Sequence, residues 1–99
     1  MSSGSKILRN KIKEKSILKI GGAFDGMSAK LVEITDFDAV WAGSFAISAT
    51  HAVPDASIMT MTEFLQVAKN MVDSCEIPII ADCDTGFGGP SNVSYLVKQ

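Results

Sequence analysis

The sequence has few cysteines, prolines and histidines, and it has no long apolar run. Its 99 residues include two cysteines, three prolines and one histidine. Cys75 and Cys83 lie eight positions apart, which fits neither a Cys-x-x-C metal site nor a disulfide framework, so we expect both to be reduced. No apolar stretch is long enough to cross a bilayer, and the basic first residues lack the apolar region of a signal peptide. These absences predict a cytoplasmic protein with no membrane partner.

Positive charge is also in short supply. Nine lysines and arginines face eleven acidic residues, which gives a net charge of -2. A chain with this balance has no electrostatic reason to bind nucleic acid, so we expect no such partner. The hydrophobic content of 46% is typical of a globular chain. A length of 99 residues is that of one small domain or a piece of a larger one.

Hydrophobic periodicity predicts one helix followed by three strand–helix units. Residues 1–5 are small and polar, and we expect them to be disordered. The predicted elements are a helix over 6–15, a strand over 16–24, a helix over 27–34 capped by Asp25, a strand over 37–41, a loop over 42–58, a helix capped by Thr60 or Thr62 and ending near Ser74, a strand over 77–81, and a helix capped by Ser91. This alternation predicts an α/β fold with a parallel sheet.

The strand ends distinguish two α/β architectures. A doubly wound sheet and a (β/α)₈ TIM barrel share this order over three units. Each of the three predicted strands ends in a polar or glycine-rich loop, and barrels gather their site residues on that face from many strands. A complete barrel needs about 250 residues. We therefore interpret residues 1–99 as the N-terminal portion, roughly a third, of a TIM-barrel domain.

The stretch from Ile77 to Gly89 carries the strongest chemical signal. An apolar run of strand length is followed by Asp82 and Asp84 and then by a Gly-Phe-Gly-Gly segment. If the strand stays extended, two aspartates spaced by two point the same way, and their charges repel unless a cation lies between them. Carboxylate oxygens are the ligands of Mg²⁺ and Mn²⁺. The alternative is a turn whose aspartates cap the next helix.

The predicted loop over 42–58 is long for a compact unit, and ligand binding is the usual reason for such a loop. It contains His51 and the dipeptide Pro54-Asp55. Taken alone, Asp55 is typical of an exposed turn, and His51 is typical of a loop residue.

Together these motifs resemble the phosphoenolpyruvate mutase and phosphonopyruvate hydrolase family of the isocitrate lyase superfamily. The resemblance rests on Trp-Ala-Gly-Ser-Phe at 41–45, Val-Pro-Asp at 53–55 and Ala-Asp-Cys-Asp-Thr-Gly-Phe-Gly at 81–88, in the family's order and spacing. The segment Ala-Phe-Asp-Gly-Met-Ser-Ala-Lys at 23–30 matches the first strand–helix junction, with Phe-Asp in place of a frequent His-Asn.

The resemblance implies a role for each matched residue. Asp82 matches the direct Mg²⁺ ligand, and Asp84 matches a carboxylate that holds waters of the metal. Asp55 matches the aspartate beside the transferring phosphoryl group, either as a nucleophile or as an orienting and electrostatic residue, and is the implied catalytic residue. Trp41, Gly43 and Ser44 match the segment that binds the pyruvyl part of the substrate, although Gly-Ser stands here where Ser-Gly is frequent, so residue 43 has no hydroxyl.

The implied activity of the intact protein is phosphoenolpyruvate phosphomutase, an isomerase of phosphonate biosynthesis that acts on a small molecule and needs Mg²⁺, with Mn²⁺ as the alternative ion. Phosphonopyruvate hydrolase and carbon–carbon lyases of the superfamily are the alternatives, because the family places its distinguishing gating loop beyond Gln99. The family commonly forms homo-oligomers. An interpretation of a different class is an inactive fragment that self-associates through two open sheet edges.

Overall fold

Residues 2–99 are described in a computed structural model, and they form a parallel sheet with five helices around it. The elements are α1 Ser2–Glu14, β1 Ile20–Ala23, α2 Gly26–Ile34, β2 Ala39–Ala42, α3 Ser44–Thr50, α4 Met61–Ser74, β3 Ile79–Ala81 and α5 Pro90–Lys98. The strand order is β1-β2-β3, and both pairings are parallel. The predicted alternation of strands and helices around a parallel sheet is thus confirmed. No helix among residues 2–99 is long and apolar enough to cross a membrane.

Two helices begin with reciprocal side-chain caps. At α2, the Asp25 carboxylate accepts a hydrogen bond from Ser28 N at 2.8 Å, and Ser28 Oγ accepts one from Asp25 N at 3.1 Å. At α4, Thr60 Oγ1 accepts from Glu63 N, and Glu63 accepts from Thr60 N. These bonds satisfy backbone donors that the first helical turn leaves without partners. The predicted cap at Asp25 is confirmed, and Thr60 rather than Thr62 caps α4.

The core lies between one face of the sheet and helices α2 and α4. Val40 and Ala42 of β2 are fully buried there, together with Phe64 and Met71 of α4. Gly21 of β1 allows close approach of α2, because a Cβ at this position would lie 2.8 Å from Val32 Cγ1. Helix α2 therefore packs closely against β1 at this glycine.

Asp38 anchors α1 at the opposite, amino-terminal end of β2. Its carboxylate lies 2.5 Å from Lys15 Nζ and accepts a hydrogen bond from Lys19 N at 2.9 Å, and its carbonyl oxygen accepts from Lys11 Nζ. The hydrogen bond from Lys15, followed by that from Lys19 N, lowers the pKa of Asp38. This buried aspartate is thus part of the scaffold, distant in the sheet from the strand ends where the site is expected.

Helical structure extends beyond its predicted limits at two places. Helix α1 begins at Ser2 instead of Lys6, while Met1 lies outside the described residues. The predicted loop over 42–58 contains α3, so that prediction was wrong for residues 44–50. Small residues suggested a loop, but Ile47 and Ser48 are buried, and packing decided the structure of this segment.

Two further predictions are corrected at the end of the chain. The N-cap of α5 is Gly89, with Pro90 in the first turn, so Ser91 lies inside the helix instead of capping it. Proline favours this position because its missing N–H is not needed there. Strand β3 was expected to be buried on both faces, but Ile79 and Ile80 are half-buried and Ala81 is exposed. Among residues 2–99, β3 is an edge strand that pairs only with β2.

Candidate active site at the carboxyl ends of the strands

Trp41, Gly43 and Ser44 lie close together at the carboxyl end of β2. Trp41 lies on the face of the sheet opposite the core and is 41% exposed. Its indole ring covers Gly43, since a Cβ at Gly43 would lie 3.0 Å from Trp41 Cδ1 and 3.3 Å from Nε1. Ser44 follows as the first residue of α3 and is buried. A side chain at residue 43 would therefore require a small shift of the indole.

Asp82 joins this segment from the neighbouring strand. Its backbone N–H donates to the carbonyl of Ala42 at 3.0 Å, which continues the β2–β3 pairing beyond Ala81. Its carboxylate Oδ2 accepts a hydrogen bond from Ser44 Oγ at 3.2 Å. The structure thus brings together Ser44, a predicted substrate-binding residue, and Asp82, a predicted metal ligand.

Asp84 is also next to Asp82, but not through the extended spacing that the sequence suggested. The backbone at Asp84 has a φ of +49°, so the chain has already turned. The N–H of Asp84 donates to Asp82 Oδ1 at 3.2 Å, which is the hydrogen bond of an aspartate-centred turn. The prediction of two parallel side chains on an extended strand was wrong. The turn is preferred because the Asp82 side chain satisfies a nearby backbone donor.

Cys83 lies between the two aspartates and packs against the hydrophobic core. Burial raises the pKa of its thiol, and the neighbouring carboxylates of Asp82 and Asp84 raise it further. The thiolate is the reactive form of cysteine, so this environment disfavours nucleophilic chemistry at Cys83. Cys75 is also a free, half-buried cysteine.

A glycine-rich turn follows the aspartates. Gly86 and Gly88 have φ values of +97° and +143°, which side chains rarely adopt. Phe87 between them also has a positive φ, of +63°, and its ring centroid lies 5.4 Å from that of Phe64. The turn 84–88 is therefore held against α4 by aromatic packing while its glycines set its path.

Asp55 comes from a different segment than the other two aspartates. It is exposed in the segment between α3 and α4, where Ala56 N donates to Pro54 O in a tight turn. Among residues 2–99, no three His, Cys, Asp or Glu side chains are grouped so that they could hold a metal ion. Its catalytic role stays a prediction. His51 caps the end of α3 and is exposed.

The sequence did not single out the cleft beside Asp84. This open cleft of about 670 Å³ lies between segment 57–62, the turn after Asp84 and the first turns of α5. Its polar lining includes Thr60, Thr85, Asn92 and Tyr95. Hydroxyl and amide groups of this kind are common on any surface, so the sequence contained no specific signal for the cleft.

The carboxylate oxygens of Asp82 are suitable ligands for a hard divalent cation. Mg²⁺ is usually bound by one or two carboxylates together with waters and substrate oxygens, rather than by a complete protein cage. Each oxygen of Asp82 accepts one hydrogen bond and retains acceptor capacity. Asp84 is exposed nearby and is able to hold metal-bound water. These two residues suit this cation and its usual incomplete protein coordination.

Comparison with known proteins identifies the family. Residues 8–99 match the family described as phosphoenolpyruvate phosphomutase. The chain belongs to this family. It is 40% identical over 91 residues to the 2-methylisocitrate lyase of Halalkalibacterium halodurans, which covers 92% of this chain and 30% of the relative. Proteins of this family are enzymes, and their names include mutases, hydrolases and lyases.

Solved structures agree with the fold. The phosphoenolpyruvate phosphomutase of Streptomyces platensis subsp. rosaceus superimposes with a TM-score of 0.93 at 40% identity, over 96% of this chain and 33% of that one. A phosphonopyruvate hydrolase in complex with oxalate and Mg²⁺ gives a TM-score of 0.90 at 36% identity, over 96% of this chain and 34% of that one. The fold is thus part of the (β/α)₈ barrel of this superfamily, and the chain spans about a third of the length of these relatives.

Proposed function

We propose that the whole protein carrying this chain is a phosphoenolpyruvate phosphomutase, which interconverts phosphoenolpyruvate and phosphonopyruvate with Mg²⁺. The observation that carries the proposal is the Asp82 carboxylate at the end of β3, next to Ser44 and Asp84. The similarity to a phosphomutase structure with a TM-score of 0.93 supports this choice. The phosphonopyruvate hydrolase complex with Mg²⁺ supports a divalent ion.

In the proposed site, Asp82 and Asp84 would hold the cation, because both carboxylates lie at the end of β3. When bound, Mg²⁺ supplies Lewis-acid stabilisation of negative charge on the oxygens of a pyruvyl substrate. Trp41, Gly43 and Ser44 form the wall that binds the pyruvyl group, because they lie beside Asp82 at the same end of the sheet.

Asp55 has a separate proposed role. Its exposed position leaves its carboxylate available to orient the phosphoryl group. Phosphoryl transfer depends on positioning and electrostatics more than on covalent help from the protein. We therefore assign Asp55 to steering the phosphoryl group rather than to attack on it.

Phosphonopyruvate hydrolase is the second candidate, since a hydrolase superimposes almost as well as the mutase. Phosphorus-31 NMR of phosphonopyruvate with Mg²⁺ separates the two activities. A mutase produces the phosphoenolpyruvate signal, whereas a hydrolase produces inorganic phosphate. A parallel assay with 2-methylisocitrate detects a lyase through pyruvate release.

The assay should use the protein expressed from its complete reading frame, with the 99-residue chain measured beside it. We expect Mg²⁺-dependent formation of phosphoenolpyruvate by the complete protein and its loss in Asp82→Asn. Conversion of 2-methylisocitrate alone would replace the proposed activity by a lyase. No Mg²⁺-dependent turnover of any of these substrates, together with self-association of the 99-residue chain in size-exclusion chromatography, would favour the inactive-fragment interpretation.

A further inference from the structure

Ser44 stands at the start of α3, but its side chain bonds to a residue that is distant in the sequence. It is the first residue of α3, where the N-cap is Gly43, and it is only 5% exposed. Its hydroxyl donates to Asp82 Oδ2 at 3.2 Å, across 38 positions of the sequence. A buried hydroxyl aimed at a carboxylate from another strand connects the start of α3 to the site.

The surrounding backbone fixes both partners of this hydrogen bond. Ala42 pairs with Ala81 in the sheet, and the Ala42 carbonyl accepts the N–H of Asp82 at 3.0 Å. Gly43 is confined by the Trp41 indole, which leaves no room for a Cβ without a shift. The hydroxyl that faces Asp82 comes from residue 44, and a side chain on residue 43 would require the indole to shift by a few tenths of an ångström.

The two oxygens of Asp82 are held from two sides. Ser44 Oγ donates to Oδ2, and the N–H of Asp84 donates to Oδ1. Two donors on different oxygens fix the plane of a carboxylate and reduce its rotational freedom. Groups that orient a metal ligand in this way raise metal affinity, and their removal typically costs about 10–100-fold.

We propose that Ser44 is a positioning residue for Asp82: its hydroxyl sets the orientation in which that carboxylate meets a divalent cation. The proposal rests on the proposed function, because it takes Asp82 as the cation's ligand. Ser44 acts through Asp82 on the metal, in addition to any contact it makes with substrate.

The first test needs no metal. In Ser44→Ala, the Asp82 carboxylate loses one of its two donors, so the hydrogen bond from Asp84 N to Oδ1 becomes less ordered. We expect the Asp84 amide to exchange about tenfold faster with solvent in two-dimensional NMR, while the α3 amides are unchanged. Ser48→Ala is the matched control, since Ser48 is equally buried, at 5%, one turn further along α3. Unchanged exchange at Asp84, or equal acceleration throughout α3, would overturn the proposal.

The second test measures binding of Mn²⁺ by electron paramagnetic resonance of the free ion. We expect Ser44→Ala to weaken Mn²⁺ binding about tenfold, Ser44→Thr to restore it through its hydroxyl, and Ser48→Ala to leave it unchanged. If Ser44→Ala binds Mn²⁺ as tightly as the unsubstituted protein or more tightly, the positioning role of Ser44 is overturned, while the proposed metal function is not. Absence of Mn²⁺ binding by the unsubstituted protein would instead refute the proposed metal function, and the positioning role with it.

Discussion

Phe64 and Phe87 lie with their ring centroids 5.4 Å apart and their planes inclined by 37°. Phe64 belongs to the buried face of α4, whereas Phe87 belongs to the glycine-rich turn after the site aspartates. The pair therefore joins the turn to the hydrophobic core. Its geometry lies in the range that aromatic pairs prefer.

Phe87→Ala should destabilise the protein by about 2 kcal/mol, because it removes a half-buried ring and its aromatic partner contact. Urea unfolding measures the change. Phe45→Ala is the matched control, since the Phe45 ring is 71% exposed and its removal should change the free energy of unfolding by less than about 0.5 kcal/mol. Equal losses in the two variants would show that the ring pair has no stabilising role.

Gly86→Ser should destabilise the turn far more than Gly89→Ser. At Gly86, φ is +97° and a Cβ would lie 2.4 Å from Val93 Cγ2, so we expect a loss of about 2 kcal/mol or more. At Gly89, φ is -79°, no atom lies within 4 Å of an added Cβ, and serine is a favoured N-cap. Thermal unfolding of both variants tests this ranking, which fails if Gly86→Ser is the more stable of the two.

Stability should fall on the acid side as Asp38 becomes protonated. Lys15 lowers the pKa of Asp38 in the folded state, so the carboxylate stabilises the fold above its ordinary pKa of about 4, and this contribution is lost as the pH falls through the lowered value. Asp38→Asn should remove this pH dependence and accelerate amide exchange along α1. The measurements are urea unfolding at several pH values and hydrogen exchange.

The matched control for Asp38 is Asp73→Asn. Asp73 also pairs with a lysine, Lys69, but both side chains are exposed, so the pair should contribute little. If the two variants gave the same pH profile and the same α1 exchange, the anchoring role of Asp38 would be disproved.

Asp25→Ala should cost about 1 kcal/mol, because it leaves the N–H of Ser28 without its side-chain acceptor at the start of α2. Asp25→Asn should retain most of the stability, since its side-chain oxygen still accepts that bond. Chemical denaturation measures both. A loss in the asparagine variant as large as in the alanine variant would mean that the negative charge, and not the hydrogen bond, matters at this cap.

The sequence predicted the parallel α/β order because each predicted strand and the helices α2 and α4 carry their own local signals. The apolar stripe of α4 and the cap at Asp25 are examples, and both depend only on neighbouring residues. Helix α3 was missed because its small residues have no clear period, and its structure depends on burial of Ile47. Local pattern does not contain that information.

The sequence predicted some features of the site and missed others for a similar reason. The glycines after Asp82 indicated a sharp turn, and the predicted strand ends indicated the face of the sheet on which the site lies. Neither pattern gives the φ of +49° at Asp84 or the hydrogen bond between Ser44 and Asp82, because both arise from three-dimensional pairing of distant segments. Residue type indicated which side chains suit a metal, and the fold determined which of them touch.

The order β1-β2-β3 also bears on how the polypeptide is made. Among residues 2–99, β2 and β3 each pair with the strand synthesised just before them, so each leaves the ribosome after that partner already exists. Pairing of these three strands can then proceed from the amino terminus onward, and the α2 and α4 segments emerge between them, in time to cover the apolar face as it forms.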